Sequence, residues 1–342
     1  MLLRHLRQRL LLPEAEQVIN QRASVRGLDV LLLSFTVEAG QNSLWLICRA
    51  APAPLPGVGP EWGFGTRREK LLQDIARCNL PHLQLDALEI AGQRITFSHS
   101  TSRSLAAVDN EAYAPLQHFA EQGLLPAEWD GTPLENLTIV RYQQTEGESL
   151  PRPEPASELP VRLHVAREFR EIPIQQPFTA EFGQQPPGTR VGYRDPVSGQ
   201  ESYFFIAELS SYDPYRATIQ GLSRIADPRE RKKARKHLLR AIQRVCPQGQ
   251  HLAVIRYETP DGVQLRFLLQ DYLDAPPEHS NTASAIGFIS SNQEFGANGY
   301  RQRECVLQPV DRDCRGQLRL ELFSRVEEIP AEVVTCQPRL PR

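Results

Sequence analysis

LDVLLLSFTVEAGQNSLWLICRA, residues 28–50, decides how the chain is read. LDVLLLSFT (28–36) and LWLICRA (44–50) are short apolar runs, and Gly40, Asn42 and Ser43 stand between them as turn formers. That pattern predicts two strands joined as a hairpin. A second hairpin is predicted from LQLDALEI and RITFSHS across Ala91-Gly92-Gln93. Around them, Pro13 to Arg26 reads as a helix stopped by Gly27. Arg67 to Leu80 reads as a helix with Leu71, Leu72, Ile75 and Leu80 on its apolar side. A helix near 111–122 and a strand at 134–142 complete the first half. Hairpins mixed with helices, without regular strand–helix alternation, predict an α+β fold.

The stretch QTEGESLPRPEPASELP, 144–160, contains four prolines and four glutamates. Alternating proline favours an extended spacer. The sequence is therefore divided into an N-terminal α+β domain (1–143), a Pro/Glu-rich linker (144–160) and a C-terminal α+β domain (161–342). Each is expected to be built from β-hairpins with packed helices. In the C-terminal part, strands are expected near 161–169 and 188–194. Asp195-Pro196-Val197-Ser198-Gly199 forms a turn, and ESYFFIAEL follows as a buried strand. Asp213-Pro214 and Asp227-Pro228 each open a helix, with aspartate as N-cap and proline at the first helical position. HLAVIRYE and VQLRFLLQDYL are expected to pair across Thr259-Pro260-Asp261-Gly262. GFISS, ECVLQPV and QLRLELFSRV are further strands.

The chain has 342 residues and a net charge of −2, so bulk charge does not draw it to polyanions. Six cysteines form no Cys-x-x-Cys pair, which argues against a zinc ribbon, a redox motif or a disulfide framework. Arginines interrupt the leucine-rich start, and no run approaches the length of a membrane span. These features point to the cytoplasm and away from a membrane.

One segment concentrates charge. Arg229 to Val245, RERKKARKHLLRAIQRV, holds three of the chain's four lysines and five arginines against one acid. Wound at 100° per residue, Ala234, Leu238, Ala241, Ile242 and Val245 fall on one side of a helix over 228–245. Arg229, Lys232, Lys233, Lys236, Arg240 and Arg244 fall on the other. Like charges at i, i+4 cost a few tenths of a kcal/mol each, so a purely structural helix would more often avoid them. These six residues are the candidate binding site, for nucleic-acid phosphate or for an acidic protein surface, and the alternative is a helix that simply turns a solvated face to water. The glycines of 57–65 do not match a phosphate loop, and the prolines before it remove donors. SSNQEFGANGY, 290–300, is a polar loop that can either line a partner site or simply connect two strands.

The chemistry-bearing motifs are incomplete. Arg67 and Arg68 on a helix, followed by Ser98-His99-Ser100, resemble the start of phosphopantetheinyl transferases. The resemblance implies a magnesium-dependent transferase drawing on Arg67, His99, Asp109 and Glu111. It covers about fifty residues, and no lysine occurs between 71 and 231 to supply that family's Lys-Glu helix. There is no G-x-S-x-G elbow and no H-E-x-x-H, and Glu201, Glu208 and Asp213 lack the Glu-x-Lys of a metal-dependent nuclease. No cofactor, metal site or catalytic residue is expected. The favoured expectation is a non-enzymatic cytosolic binding or accessory protein, a subunit of a larger assembly. The alternative is an enzyme with a dispersed site, of the transferase-like kind.

Overall fold

The computed structural model describes residues 10–38, 40–50, 65–79, 82–106, 112–146, 160–260, 263–277 and 289–338, excepting the side chains of 289–293. The glycine loop at 57–64, Asp109 and Glu111, and spacer residues 147–159 lie outside the described residues. The chain forms two compact units. One comprises 1–57, 80–168 and 329–342, the other 58–79 and 169–328.

The protein is not a balanced α+β fold. Strands hold 52% and helices 22% of the described residues, and each unit is organised by a curved sheet. The reason is plain in the first unit. Its strands are β1 (Ala15–Val25), β2 (Leu28–Glu38), β3 (Gln41–Ala50), β4 (Leu85–Ile90), β5 (Gln93–Ser104), β6 (Leu137–Gln144) and β7 (Val161–Val165). With β17 (Glu332–Thr335) and β18 (Gln337–Pro338) they make one nine-stranded sheet, ordered β17-β7-β4-β5-β6-β3-β2-β1-β18. The last segment sits at both ends of that order. Val333 pairs with His164 of β7, while Gln337 pairs with Arg22 of β1. Residues 332–338 thereby bring the two edges together, and the sheet nearly closes into a barrel.

The apolar run at 28–36 is buried on both faces because it serves two cores. Leu28, Val30, Leu32 and Phe35 face the inner cluster with Leu44, Leu88, Val140, Leu163 and Cys336. Leu31 and Leu33 face an outer cluster with Trp45, Phe119, Leu124 and Trp129. Helix α2 (Tyr113–Glu121) covers that outer side through Phe119.

Of residues 13–26, expected as a helix, 15–25 form β1. Gly27 is not a helix stop. Arg26 (φ 48°) and Gly27 (φ 82°) are the two central residues of a tight hairpin joining Val25 to Leu28. Positive φ at both positions is what a type I′ hairpin requires. Gln21, Ala23 and Val25 alternate inward, the period of a strand.

The second unit is an open half-barrel. Its larger sheet runs β10 (Arg190–Arg194), β11 (Glu201–Tyr212), β12 (Gln250–Glu258), β15 (Arg301–Asp311), β14 (Ile289–Phe295), with β9 (Gly183–Gln184) also on β11. A three-stranded sheet runs β13 (Gln264–Leu269), β16 (Gln317–Ile329), β8 (Glu168–Glu181). Phe204, Tyr257, Phe267 and Leu320 fill the shared core. β12 and β13, expected to pair with each other, enter different sheets. The Tyr257 hydroxyl accepts from the Leu265 amide at 3.0 Å, a side chain satisfying backbone where the sheets part. Helix α1 (Arg67–Cys78) packs Ile75 on Leu268, Leu273 and Phe323, beside the short helix at Gln270–Asp274. Arg68 pairs with the buried Glu321.

Asp195 shows how turn chemistry locks this unit. Its Oδ1 accepts from the Val197 and Ser198 amides, and Arg325 donates to Oδ2. Burial alone would raise its carboxyl. The Ser198 amide, Arg325 and the Val197 amide outweigh that and hold it below the usual carboxylate value. A lowered folded value stabilises above the unfolded value and loses that contribution as pH falls. Wild-type stability is therefore expected to fall below about pH 4, and Asp195→Asn to show a shallower fall. Urea midpoints measured from neutral to acid pH check this.

Candidate functional site

Helices α3 (Pro214–Leu222) and α4 (Pro228–Val245) lie between β11 and β12, which pair directly (Tyr212 with Leu252). The two helices are an excursion from a hairpin. Asp213 caps α3 by accepting from the Arg216 amide, and Asp227 caps α4 by accepting from the Arg229 amide, each with proline in the first turn. Arg231 donates to the Ile225 carbonyl and closes the connection between them. At the root, the Tyr215 hydroxyl donates to the Cys246 carbonyl at 2.7 Å.

No residue of α4 is fully buried. Ala234, Leu239, Ile242 and Val245 are half-buried, whereas Leu238 (44% accessible) and Ala241 are exposed. The helix is therefore rotated from the docking side expected of it. Leu238 and Ala241 remain open to solvent beside the cations. Arg229, Lys232, Lys233, Lys236, Arg240 and Arg244 are all exposed, and the helix brings them onto one surface. None of the six has a side-chain hydrogen bond or ion pair among the described residues.

The contrast with other arginines is marked. Arg256 holds Glu208 and Glu304, Arg266 holds Glu171, and Arg22 and Arg49 share Asp29. The segment 228–245 carries 8 of the chain's 39 Lys and Arg but 1 of its 41 acids, leaving 31 cations against 40 acids elsewhere.

A groove of about 420 Å³ opens at the foot of the arm that α3 and α4 form. Ile219 and Leu239 form its apolar wall, and Gln243, Gln250, His251 and Arg312 its polar one. The Ser211 hydroxyl lies 3.0 Å from His251 Nδ1, and His251 Nε2 lies 3.6 Å from Asp213 Oδ2. That distance exceeds a hydrogen bond, and Asp213 is already engaged as a helix cap. The trio orders the groove's edge without forming a nucleophile–base–carboxylate relay. Sequence alone did not single it out, because its members come from strand, cap and neighbouring strand.

The other candidates separate. Arg67 stacks on Tyr272 at 4.5 Å, and Arg68 is committed to Glu321 and Asp274. Both belong to the second unit, whereas Ser98, His99 and Ser100 are exposed on β5 of the first. Glu208 pairs with Arg256 and Asp213 caps α3, so neither is free to hold a metal. Among the described residues no cluster of three His, Cys, Asp or Glu is arranged to hold a metal ion. No helix among them is long and apolar enough to cross a membrane. Residues 290–295, expected as part of a loop, belong to strand β14, and only the turn at 296–300 folds over Glu258, whose carboxylate accepts from the Asn298 and Tyr300 amides. Comparison with protein-family models, with curated proteins and with solved structures finds no match.

Proposed function

We propose that this is a non-enzymatic binding protein, an accessory subunit that docks an acidic protein partner through α4. The observation that carries the reading is six cations without an ion-pair partner among the described residues, on a helix with no fully buried residue. Two features favour protein over nucleic acid. Binders of nucleic acid are typically basic over a whole domain, whereas here the sequence pI is about 6.5 and acids outnumber cations outside the helix. Leu238 and Ile219 are also exposed on the arm. A protein surface can bury such side chains, and a phosphate backbone gains nothing from them.

The test compares wild type with a variant carrying Lys232→Gln, Lys233→Gln, Lys236→Gln and Arg240→Gln. Glutamine keeps the helix propensity and removes the charge. Fluorescent polyglutamate and a fluorescent DNA duplex serve as probes in a salt titration. Wild type is expected to bind polyglutamate with affinity falling as salt rises, and the variant to bind about tenfold more weakly or worse. Tighter binding of the duplex would move the reading to nucleic acid. Binding unaffected by the substitutions would sink it.

A further inference from the structure

We infer that the groove at the foot of the arm and the lysines above it form one linear site for an acidic peptide segment bearing an apolar anchor. The inference rests on the reading of α4 as an acidic-partner surface and specifies the form of that partner. Lys232, Lys236, Leu239 and Gln243 are spaced four, three and four residues apart, which places them along one stripe of the helix. The lower two members, Leu239 and Gln243, line the groove. Lys232 and Lys236 continue the same stripe beyond it, exposed and without ion-pair partners among the described residues.

The groove's chemistry complements that line. Ile219 of α3, half exposed, lines the groove together with Leu239 and adds a second aliphatic side chain to it. Arg312 and His251 supply donors at the strand side, and Gln243 and Gln250 supply amides suited to a peptide backbone. Among the described residues Asp213 is the one acid lining the groove, and its Oδ1 is occupied by the Arg216 amide. A bound segment would place an aliphatic side chain between Ile219 and Leu239 and run its carboxylates along Lys236 and Lys232. Exposed lysines alone give salt-sensitive attraction without selectivity, whereas an apolar anchor beside them discriminates among acidic segments.

Two fluorescent peptides test this: a run of glutamates around two leucines, and the same peptide with serines in place of the leucines. Wild type is expected to bind the leucine peptide about tenfold more tightly than the serine peptide. Ile219→Ser, at an exposed position, and Gln243→Glu, which adds a repelling charge, are each expected to erase that preference. Lys232→Gln with Lys236→Gln is expected to weaken both peptides. Equal binding of the two peptides, unchanged by Ile219→Ser and Gln243→Glu, would overturn the groove while leaving α4 as an acidic-partner surface. Failure of both peptides to bind would remove both readings.

Discussion

Arg26→Ala is expected to destabilise the nine-stranded unit by about 2–4 kcal/mol. Arg26 sits at the β1–β2 turn, yet its guanidinium reaches residues more than a hundred positions away. It donates to the Ala166 carbonyl at 2.9 Å and the Pro330 carbonyl at 2.8 Å. It also lies 3.2 Å from Glu168 and 3.2 Å from Glu332. Those partners follow β7 and flank the start of β17, where the sheet's two edges meet. One side chain therefore clips the seam of the barrel. Its own accessibility is 14% and that of Glu168 is 15%, so this pair is poorly screened, whereas Glu332 at 43% adds little. Alanine would leave two carbonyls and a shielded carboxylate without their donor.

Arg26→Gly separates the clip from the turn. Glycine suits positive φ better than arginine does, so a loss arising from turn geometry would be reversed. A loss arising from the clip persists. Urea unfolding followed by tryptophan fluorescence is a direct readout, since Trp45 and Trp129 both lie in this unit's outer core. A Gly variant as stable as wild type would show that the seam holds without Arg26.

The seam also marks where sequence reading ends. The run at 28–50 announced its hairpin because its apolar residues are dense and turn formers bound them. Asp213-Pro214 and Asp227-Pro228 announced two helix starts, since caps act on their immediate neighbours. Residues 332–338 carry no such signal. EVVTCQP is short, ends in proline, and takes its strand character from partners in β7 and β1. The α+β expectation failed for the same reason. Helices were legible one at a time, while closure of the sheet depends on pairings across most of the chain. At 13–26 a glycine read as a helix stop is a turn residue, and only the pairing of Val25 with Leu28 distinguishes the two.

The site divides in the same way. The cation arc on 228–245 follows from helical period alone and lies where that period put it. The docking side does not, because it depends on what α3 and β12 offer. Leu239, rather than Leu238, turned toward the groove. The groove itself draws on 213–219, 239–251 and 312, and nothing in those segments taken singly signals a cavity.

A double-mutant cycle at Glu258 and Gly296 is expected to show coupling of about 1–3 kcal/mol. Glu258 is fully buried. Asn298 Nδ2 donates to one carboxylate oxygen at 3.0 Å, and the Asn298 and Tyr300 amides donate to the other at 3.1 and 3.2 Å. Gly296 presses on that carboxylate. A Cβ added there would stand 2.0 Å from Glu258 Oε1 and 2.2 Å from Cδ. Gly296→Ala must therefore displace a carboxylate that holds three donors. Its cost is the loss of those bonds, about 2–3 kcal/mol. Glu258→Ala leaves the same donors without their buried acceptor and is expected to cost about 3 kcal/mol. With the carboxylate gone, the added methyl meets space, so Gly296→Ala in the Glu258→Ala background is expected to cost well under 1 kcal/mol. Denaturant unfolding of the four proteins closes the cycle. If the two costs simply add, Gly296 serves the loop's backbone alone, and Glu258 is not what the loop is folded around.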